Sequence, residues 1–294
     1  MVSCYFCDSI VLEKSAGQRS IIFENVIHDY HLCNFCGGFS MYPKLRPDQL
    51  NRMYSSDYVG QNVPSIQETD GINERKFVSL VKFFDNNVDR NFENFLDYGC
   101  GADPVTFEFA RNVGLVPYGM ELVREVRELA QNNRGAQIYS RKGVLSHENF
   151  FDIIFLGDVL EHLVDPIYEL QQLKSTLKQG GVIIAQGPLQ GSATFMQLTV
   201  RFFARLTSSK FSTYPPYHVS LATVKSMESL VAVAGLKLNY IDVDEVFWPA
   251  PVFVEVFRNP SLRNIILYVT KRIDIAMSLL LPRFGTRYFL VCSQ

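Results

Sequence analysis

From residue 93 onward, short apolar runs alternate with stretches in which apolar residues recur every three or four positions. The runs read as strands at Phe95–Tyr98, Val116–Met120, Ala136–Tyr139, Phe151–Leu156, Val182–Ala185, Lys237–Val243 and Arg287–Gln294. The periodic stretches read as helices at Pro104–Asn112, Val123–Gln131, Ile167–Leu177 and Thr223–Ala234. "LKQGGVIIAQGPL" reads as a helix closed by Gly180-Gly181, followed by a strand ending in a Gly-Pro turn. Seven strands alternating with helices predict an α/β fold, a doubly wound and mostly parallel sheet with right-handed crossovers.

The front of the chain differs. Residues 1–42 carry four cysteines and the branched, aromatic stretch "SIIFENVIHDYHLC", the pattern of a small strand-rich module. Residues 43–92 open on Pro43 and Pro47, contain "QNVPSIQETDG", and then place Phe77, Leu80, Val81 and Phe84 on one helical face, so they read as a linker with a helix. Residues 93–294 form the main domain, with inserts at about 190–222 and 246–284.

With 47% apolar and 20% charged residues in a chain of 294, the composition is that of a globular protein. A net charge of −2 gives no electrostatic footprint for nucleic acid. The first residues lack the basic and apolar regions of a secretory signal. The densest apolar stretch, Ile265–Leu281, is interrupted by Lys271, Arg272 and Asp274, which argues against a membrane span. A reducing, cytoplasmic setting is expected, and in it two CxxC pairs read as metal ligands, not disulfides. Cys4, Cys7, Cys33 and Cys36 are expected to hold one structural zinc ion, with Gly37-Gly38 allowing the tight turn. His28 and His31 are not needed as ligands, and Cys100 and Cys292 read as small buried residues.

The chemistry gathers in "FLDYGCGADP". A strand carrying Asp97 breaks on Gly99 and Gly101, and Asp103-Pro104 is placed to cap and start a helix. That helix end favours an anionic group. Glu121, twenty residues after Gly101 at the tip of the next strand, is placed to accept both hydroxyls of a ribose. A third glycine of the dinucleotide fingerprint is missing, because Pro104 stands there. The plain alternative is a tight turn between strand and helix.

Taken in order, "LDYGCG", "GMEL", "FDIIFLGDVLEHLVDP", "LKQGGVIIAQGPL" and "YHVSLATVKSMESLVAVAGLKL" resemble the class I S-adenosylmethionine-dependent methyltransferases. The nearest subgroup pairs a CxxC…CxxC module with a "YGCG" turn, and some of its members methylate nucleotide-linked sugars at carbon. The resemblance implies a Rossmann-like sheet and S-adenosylmethionine as cofactor. It implies that Asp97, Gly99 and Gly101 line the methionine end, that Glu121 with Leu122 holds the ribose, and that Asp158 with Val159 and Leu160 lies beneath the sulfonium. Tyr54 and Tyr58 are similar to a tyrosine pair that caps the cofactor. The usual acid near the adenine is replaced by Ser140, Arg141 and Lys142, so Ser140 or a backbone N–H is expected there.

His218, in the proline-fixed loop "TYPPYH", is the candidate base, with Tyr214 and Tyr217 orienting it or stacking on the acceptor. Its plain alternative is a histidine capping the next helix. Glu161 and His162 are a second candidate pair, able with His218 to form a divalent-metal cluster, but neighbouring helical residues diverge, so one of them reads as structural. Finally, "FMQLTVRFFARLTSSK" is an amphipathic helix with three basic residues and no acid, and residues 258–294 hold six Lys or Arg against Asp274 alone. Both read as a lid with a solvated basic face. Two sharper readings are recruitment of an anionic acceptor, such as a nucleotide-linked sugar, and peripheral contact with an acidic membrane. The remaining functional alternatives are O-methylation of a lipid- or quinone-type acceptor, an NAD-dependent oxidoreductase and a non-catalytic adaptor.

Overall fold

The computed structural model describes residues 3–10, 12–14, 20–54, 78, 80–86, 91–102, 104–206, 211–212, 217–245, 256, 258 and 260–294. Its main sheet has seven strands: β5 (Asn94–Tyr98), β6 (Val116–Met120), β7 (Gln137–Tyr139), β8 (Phe151–Gly157), β9 (Leu177–Pro188), β12 (Lys237–Asp244) and β13 (Arg287–Ser293). They lie in the order β12-β13-β9-β8-β5-β6-β7. The strands from β5 to β9 pair in parallel, and β13 runs antiparallel to both neighbours. Every residue of β5 and of β8 is buried, as expected of parallel strands covered by helices on both faces. The order turns back between β5 and β8, and this switch point opens a crevice beyond their carboxyl ends.

Most of the expected elements are present within two residues. Three differ. The helix α2 (Thr106–Asn112) begins two residues after Pro104, because the amides of Phe107 and Glu108 bond back only three residues, to Pro104 and Val105. Asp103, the expected cap, lies outside the described residues. The helix α5 (Pro166–Thr176) ends at Thr176 and not at Gly180-Gly181, and residues 178–181 form a bulge where the register of β9 on β8 shifts. A short helix, α4 (Arg141–Leu145), was not expected.

The front residues form β1 (Leu12–Lys14), β2 (Ser20–Phe23), β3 (Val26–Cys33) and β4 (Phe39–Tyr42), followed by α1 (Pro47–Met53). Two strands from the expected insert complete this sheet: β10 (Phe211–Ser212) beside β2, and β11 (Ser220–Leu221) beside β4. Cys4, Phe6, Cys33 and Cys36 share one apolar cluster with Leu189, Ala222, Met227 and Tyr288 of the main domain. The front sheet thus packs directly beside the segment that carries His218. The remaining helices are α3 (Arg124–Arg134), α6 (Phe195–Leu206), α7 (Val224–Val233) and α8 (Leu262–Leu280).

Candidate active site

At the end of β5 the chain turns on Gly99 and Gly101, whose φ values of +86° and +70° suit glycine alone. A Cβ on Gly99 would stand 2.8 Å from Val159 Cγ2, so the turn and the loop after β8 touch. A Cβ on Gly101 would meet nothing within 4 Å, which leaves open space above the turn. Glu121 closes one side: its carboxylate accepts from the amides of Gly101 at 3.1 Å and Val123 at 3.0 Å. Leu122 beside it is exposed. Asp97 is buried beneath the turn and accepts from the Thr106 hydroxyl, which ties β5 to the first turn of α2.

The crevice residues fit S-adenosylmethionine in their chemistry. The open cradle over Gly101 admits the backbone of a bulky ligand, and Glu121 offers acceptors suited to ribose hydroxyls. On the expected adenine side, Ser140 caps α4 through Gly143 N at 3.3 Å. Arg141 is structural: its guanidinium forks onto Glu169 at 2.7–3.0 Å, and Glu169 also accepts from Tyr98.

Asp158 follows β8 in the left-handed region at φ +58°. Its carboxylate takes a bond from Arg287 Nη2 at 2.5 Å. Arg287 begins β13 opposite Pro188, and the sequence reading did not foresee this partner. The run of small bonded turns continues into a 3₁₀ turn, Leu160–His162, closed by His162 N on Val159 O at 3.0 Å. Although neighbours in a 3₁₀ turn diverge by about 120°, the Glu161, His162 and His218 ligand atoms lie within 4.8 Å of one another. The expected divergence of Glu161 and His162 is therefore corrected.

The two imidazoles meet edge to face with ring centres 4.9 Å apart. His218 Nδ1 stands 2.8 Å from Gln190 Oε1, and His162 Nδ1 stands 2.8 Å from Tyr217 O and 3.1 Å from the Tyr54 hydroxyl. An Nδ1–H donated to oxygen leaves the Nε2 lone pair of each neutral ring available. Burial lowers the pKa of His162, and burial together with the neighbouring His162 pushes His218 down to about 4. Both rings are thus neutral near pH 7. The His218 carbonyl accepts from the Tyr30 hydroxyl at 2.5 Å, and Met41 N bonds Val219 O at 3.0 Å, so the front sheet fixes this loop. Tyr217 enters through its carbonyl. Tyr58 and Tyr214 lie outside the described residues.

In the front module, two knuckles close with Asp8 N on Cys4 O at 3.0 Å and Gly37 N on Cys33 O at 2.9 Å. The sulfurs of Cys4 and Cys36 are 3.5 Å apart, those of Cys7 and Cys33 3.6 Å, and all four lie within 4.8 Å. A disulfide needs about 2.05 Å, whereas thiolates on a tetrahedral zinc at about 2.3 Å stand about 3.8 Å apart. The donor set therefore fits a tetrahedral metal. His28 is turned away, its Nδ1 at 2.7 Å from Pro43 O.

A cleft of about 370 Å³ at the sheet edge, lined by Lys82, Asp242, Asp244 and Arg283 among others, shares no residue with this site.

Among solved structures, the chain is similar to a Haloferax volcanii methyltransferase in complex with the Trm112 methyltransferase activator, at 13% identity and TM-score 0.50, over 81% of this chain and 96% of that one. It is also similar to an S-adenosylmethionine-dependent methyltransferase of Leishmania major, at 11% identity and TM-score 0.49, over 76% and 74% of the two chains. A sarcosine dimethylglycine methyltransferase of Galdieria sulphuraria matches at 14% identity and TM-score 0.48, over 81% and 90%. A family model described as a methyltransferase domain matches residues 71–240. That match spans the glycine turn, the Glu121 clasp and the histidine pair, and it covers more than half of the sequence, so the chain belongs to the methyltransferase-domain family and is an S-adenosylmethionine-dependent methyltransferase.

Proposed function

We propose that the protein transfers a methyl group to a small anionic acceptor, a nucleotide-linked sugar or another glycan precursor, with His218 as the proton acceptor. The observation that carries this reading is the half-buried, neutral His162–His218 pair, joined to the Gly99 turn through Val159. Bound in the crevice, S-adenosylmethionine supplies an electrophilic methyl group. Glu121 and Leu122 hold the ribose end, while Asp97, Gly99 and Gly101 shape the floor for the methionine end. Asp158 and Val159 form the wall between cofactor and acceptor. His218, held by Gln190, takes the proton as the acceptor atom is alkylated, and Tyr217, with Tyr214, borders the acceptor. Alignment of nucleophile and methyl in a water-poor site supplies most of the rate. One structural zinc on Cys4, Cys7, Cys33 and Cys36 fixes the front sheet, and through Tyr30 and Met41 it fixes the His218 loop.

The test is turnover. The purified chain with S-adenosylmethionine and a panel of nucleotide-linked sugars is expected to give a product heavier by one methylene. Absence of cofactor binding by calorimetry would sink the cofactor reading, and binding without turnover on any sugar would sink the acceptor reading. A second reading keeps the cofactor and changes the acceptor chemistry. The Glu161, His162 and His218 triad has the donor set for a divalent cation, which would acidify an acceptor hydroxyl. Loss of turnover on chelation, with cofactor affinity unchanged and the cysteine-bound zinc retained, would select it. Family membership sets aside the NAD-dependent alternative.

A further inference from the structure

Strand β13 opens on its only charged residue, Arg287, and then runs through the buried centre of the sheet. The antiparallel register sets Arg287 opposite Pro188, at the carboxyl end of β9. From there its Nη2 donates to Asp158 Oδ1 at 2.5 Å. Asp158 stands directly after β8 with φ at +58°, a backbone that a side-chain-bearing residue keeps only where its surroundings over-determine it. Two contacts do so here. The Asp158 amide donates to Gln186 O at 2.9 Å, and the guanidinium holds its carboxylate. The two side chains are 27% and 26% exposed, so the pair lies at the surface of the site and not inside the sheet.

The pair has the cofactor crevice on one side and the histidines on the other. Through the next residue, Val159, its loop touches the Gly99 turn. The same loop then enters the 3₁₀ turn whose His162 packs on His218, ring centres 4.9 Å apart. After burial and the neighbouring His162, the Asp158 carboxylate raises the His218 pKa and the Arg287 guanidinium lowers it, so both charges reach the ring. A methyl group passing from the crevice to an acceptor at His218 therefore passes beside this pair. In that transfer the acceptor bonds the methyl carbon, and the electron pair of the broken carbon–sulfur bond stays on sulfur. The sulfonium becomes a neutral thioether. An extra negative charge at this place would hold the charged reactant more strongly than the transition state or the product, and so would slow the step. We infer that Arg287 is a positioning residue, which fixes the Asp158 carboxylate and balances its charge, so that the site does not favour the sulfonium of S-adenosylmethionine over the thioether left after transfer. This deepens the function proposed above and rests on its placement of the methyl path between Gly99 and His218.

The test is a pair of calorimetric titrations of the full chain, one with S-adenosylmethionine and one with S-adenosylhomocysteine, which differ by a methyl group and the charge on sulfur. Arg287→Gln changes the local charge by one unit whatever else surrounds Asp158. It is expected to raise the affinity for S-adenosylmethionine relative to S-adenosylhomocysteine by about threefold or more, the scale of a partly exposed charge pair, and to lower turnover. Arg287→Lys keeps the charge and should keep the wild-type ratio. Asp158→Asn should move the ratio the other way by a similar factor, and the double variant Arg287→Gln with Asp158→Asn should restore it. A role confined to packing would move both affinities together. A wild-type ratio in both Arg287→Gln and Asp158→Asn therefore overturns the inference, and so does a ratio in Arg287→Lys that matches Arg287→Gln. If Arg287→Gln does not fold, Asp158→Asn and Arg287→Lys carry the same comparison. A wild-type chain that binds neither ligand would instead sink the cofactor reading, and this inference with it.

Discussion

Glu121 and Gly101 are bonded to each other: the carboxylate at the tip of β6 accepts the amide of the glycine turn at 3.1 Å. The tip of β6 and the glycine turn are therefore joined, with the Val123 amide as a second anchor of the Glu121 carboxylate. Glu121→Ala removes both the charge and this brace. Hydrogen bonds to a charged acceptor contribute about 1.5–3 kcal/mol each, so S-adenosylmethionine affinity should fall about ten- to a hundredfold or more in a calorimetric titration. Unchanged affinity would place the ribose elsewhere.

Gly99 and Gly101 should separate stability from binding. Both sit at positive φ, which costs an alanine about 1–2 kcal/mol. At Gly99 the new methyl also meets Val159 Cγ2 at 2.8 Å, adding about 1–3 kcal/mol of overpacking. At Gly101 the methyl points into open space. Thermal melts should show Gly99→Ala as the less stable variant, whereas Gly101→Ala should fold well and lose cofactor affinity. Equal melting points would contradict this division.

The positions of the strands along the chain and the glycine turn were legible because period-two and period-3.6 patterns and glycines at turns are local signals. Glu121 was legible for the same reason, by its distance from the turn. Arg287 was not. Its strand could be read, but nothing local says that β13 inserts between β9 and β12 and brings Arg287 to Asp158. The 3₁₀ turn at Leu160–His162 was equally hidden, since three residues carry no period, and with it the meeting of Glu161, His162 and His218. The burial of Lys271 and Asp274 in α8 was not foreseen, because amphipathicity names two faces without saying which one is covered. Only the tertiary partners, Glu245 for Lys271 and the α6 amides for Asp274, decide it.

His218 should report itself through pH. Its folded pKa of about 4 lies below the unfolded value of about 6.5, so the unfolded chain binds the proton first. The contribution of the neutral half-buried ring is complete above about pH 6.5 and is lost as pH falls toward 4. Denaturant midpoints of the wild type should drop across that window, and His218→Gln should flatten the drop. On the true acceptor the same variant should lose about a hundred- to ten-thousandfold in turnover, with cofactor affinity retained. Wild-type turnover would remove His218 from the chemistry.

Cys33 ends β3, the strand whose Tyr30 holds the His218 carbonyl. Cys33→Ser should leave a metal site with three thiolates and a strand no longer anchored at its end. Elemental analysis should find about one zinc per wild-type chain and little in the variant. Turnover should fall with the metal although Cys33 lies in the front module and not in the glycine turn, because the loop carrying His218 loses its support. A zinc-free variant with full turnover would make the front module independent of the site.

Lys271 and Glu245 form a fully buried pair, and their separation tests whether α8 is held by its charged inner face. Lys271→Met fits the space but strands the Glu245 carboxylate, and breaking a buried pair from one side costs about 3–5 kcal/mol. Burial already raises the Glu245 pKa. Without the ammonium it rises further, so the folded chain binds a proton that the unfolded chain releases near 4.5. The deficit of Lys271→Met should therefore be largest at neutral pH and shrink as pH falls toward that value. Adding Glu245→Gln to Lys271→Met removes the stranded charge and should recover much of the lost stability at pH 7. If the single variant is as stable as the wild type at neutral pH, the buried pair does not hold the helix.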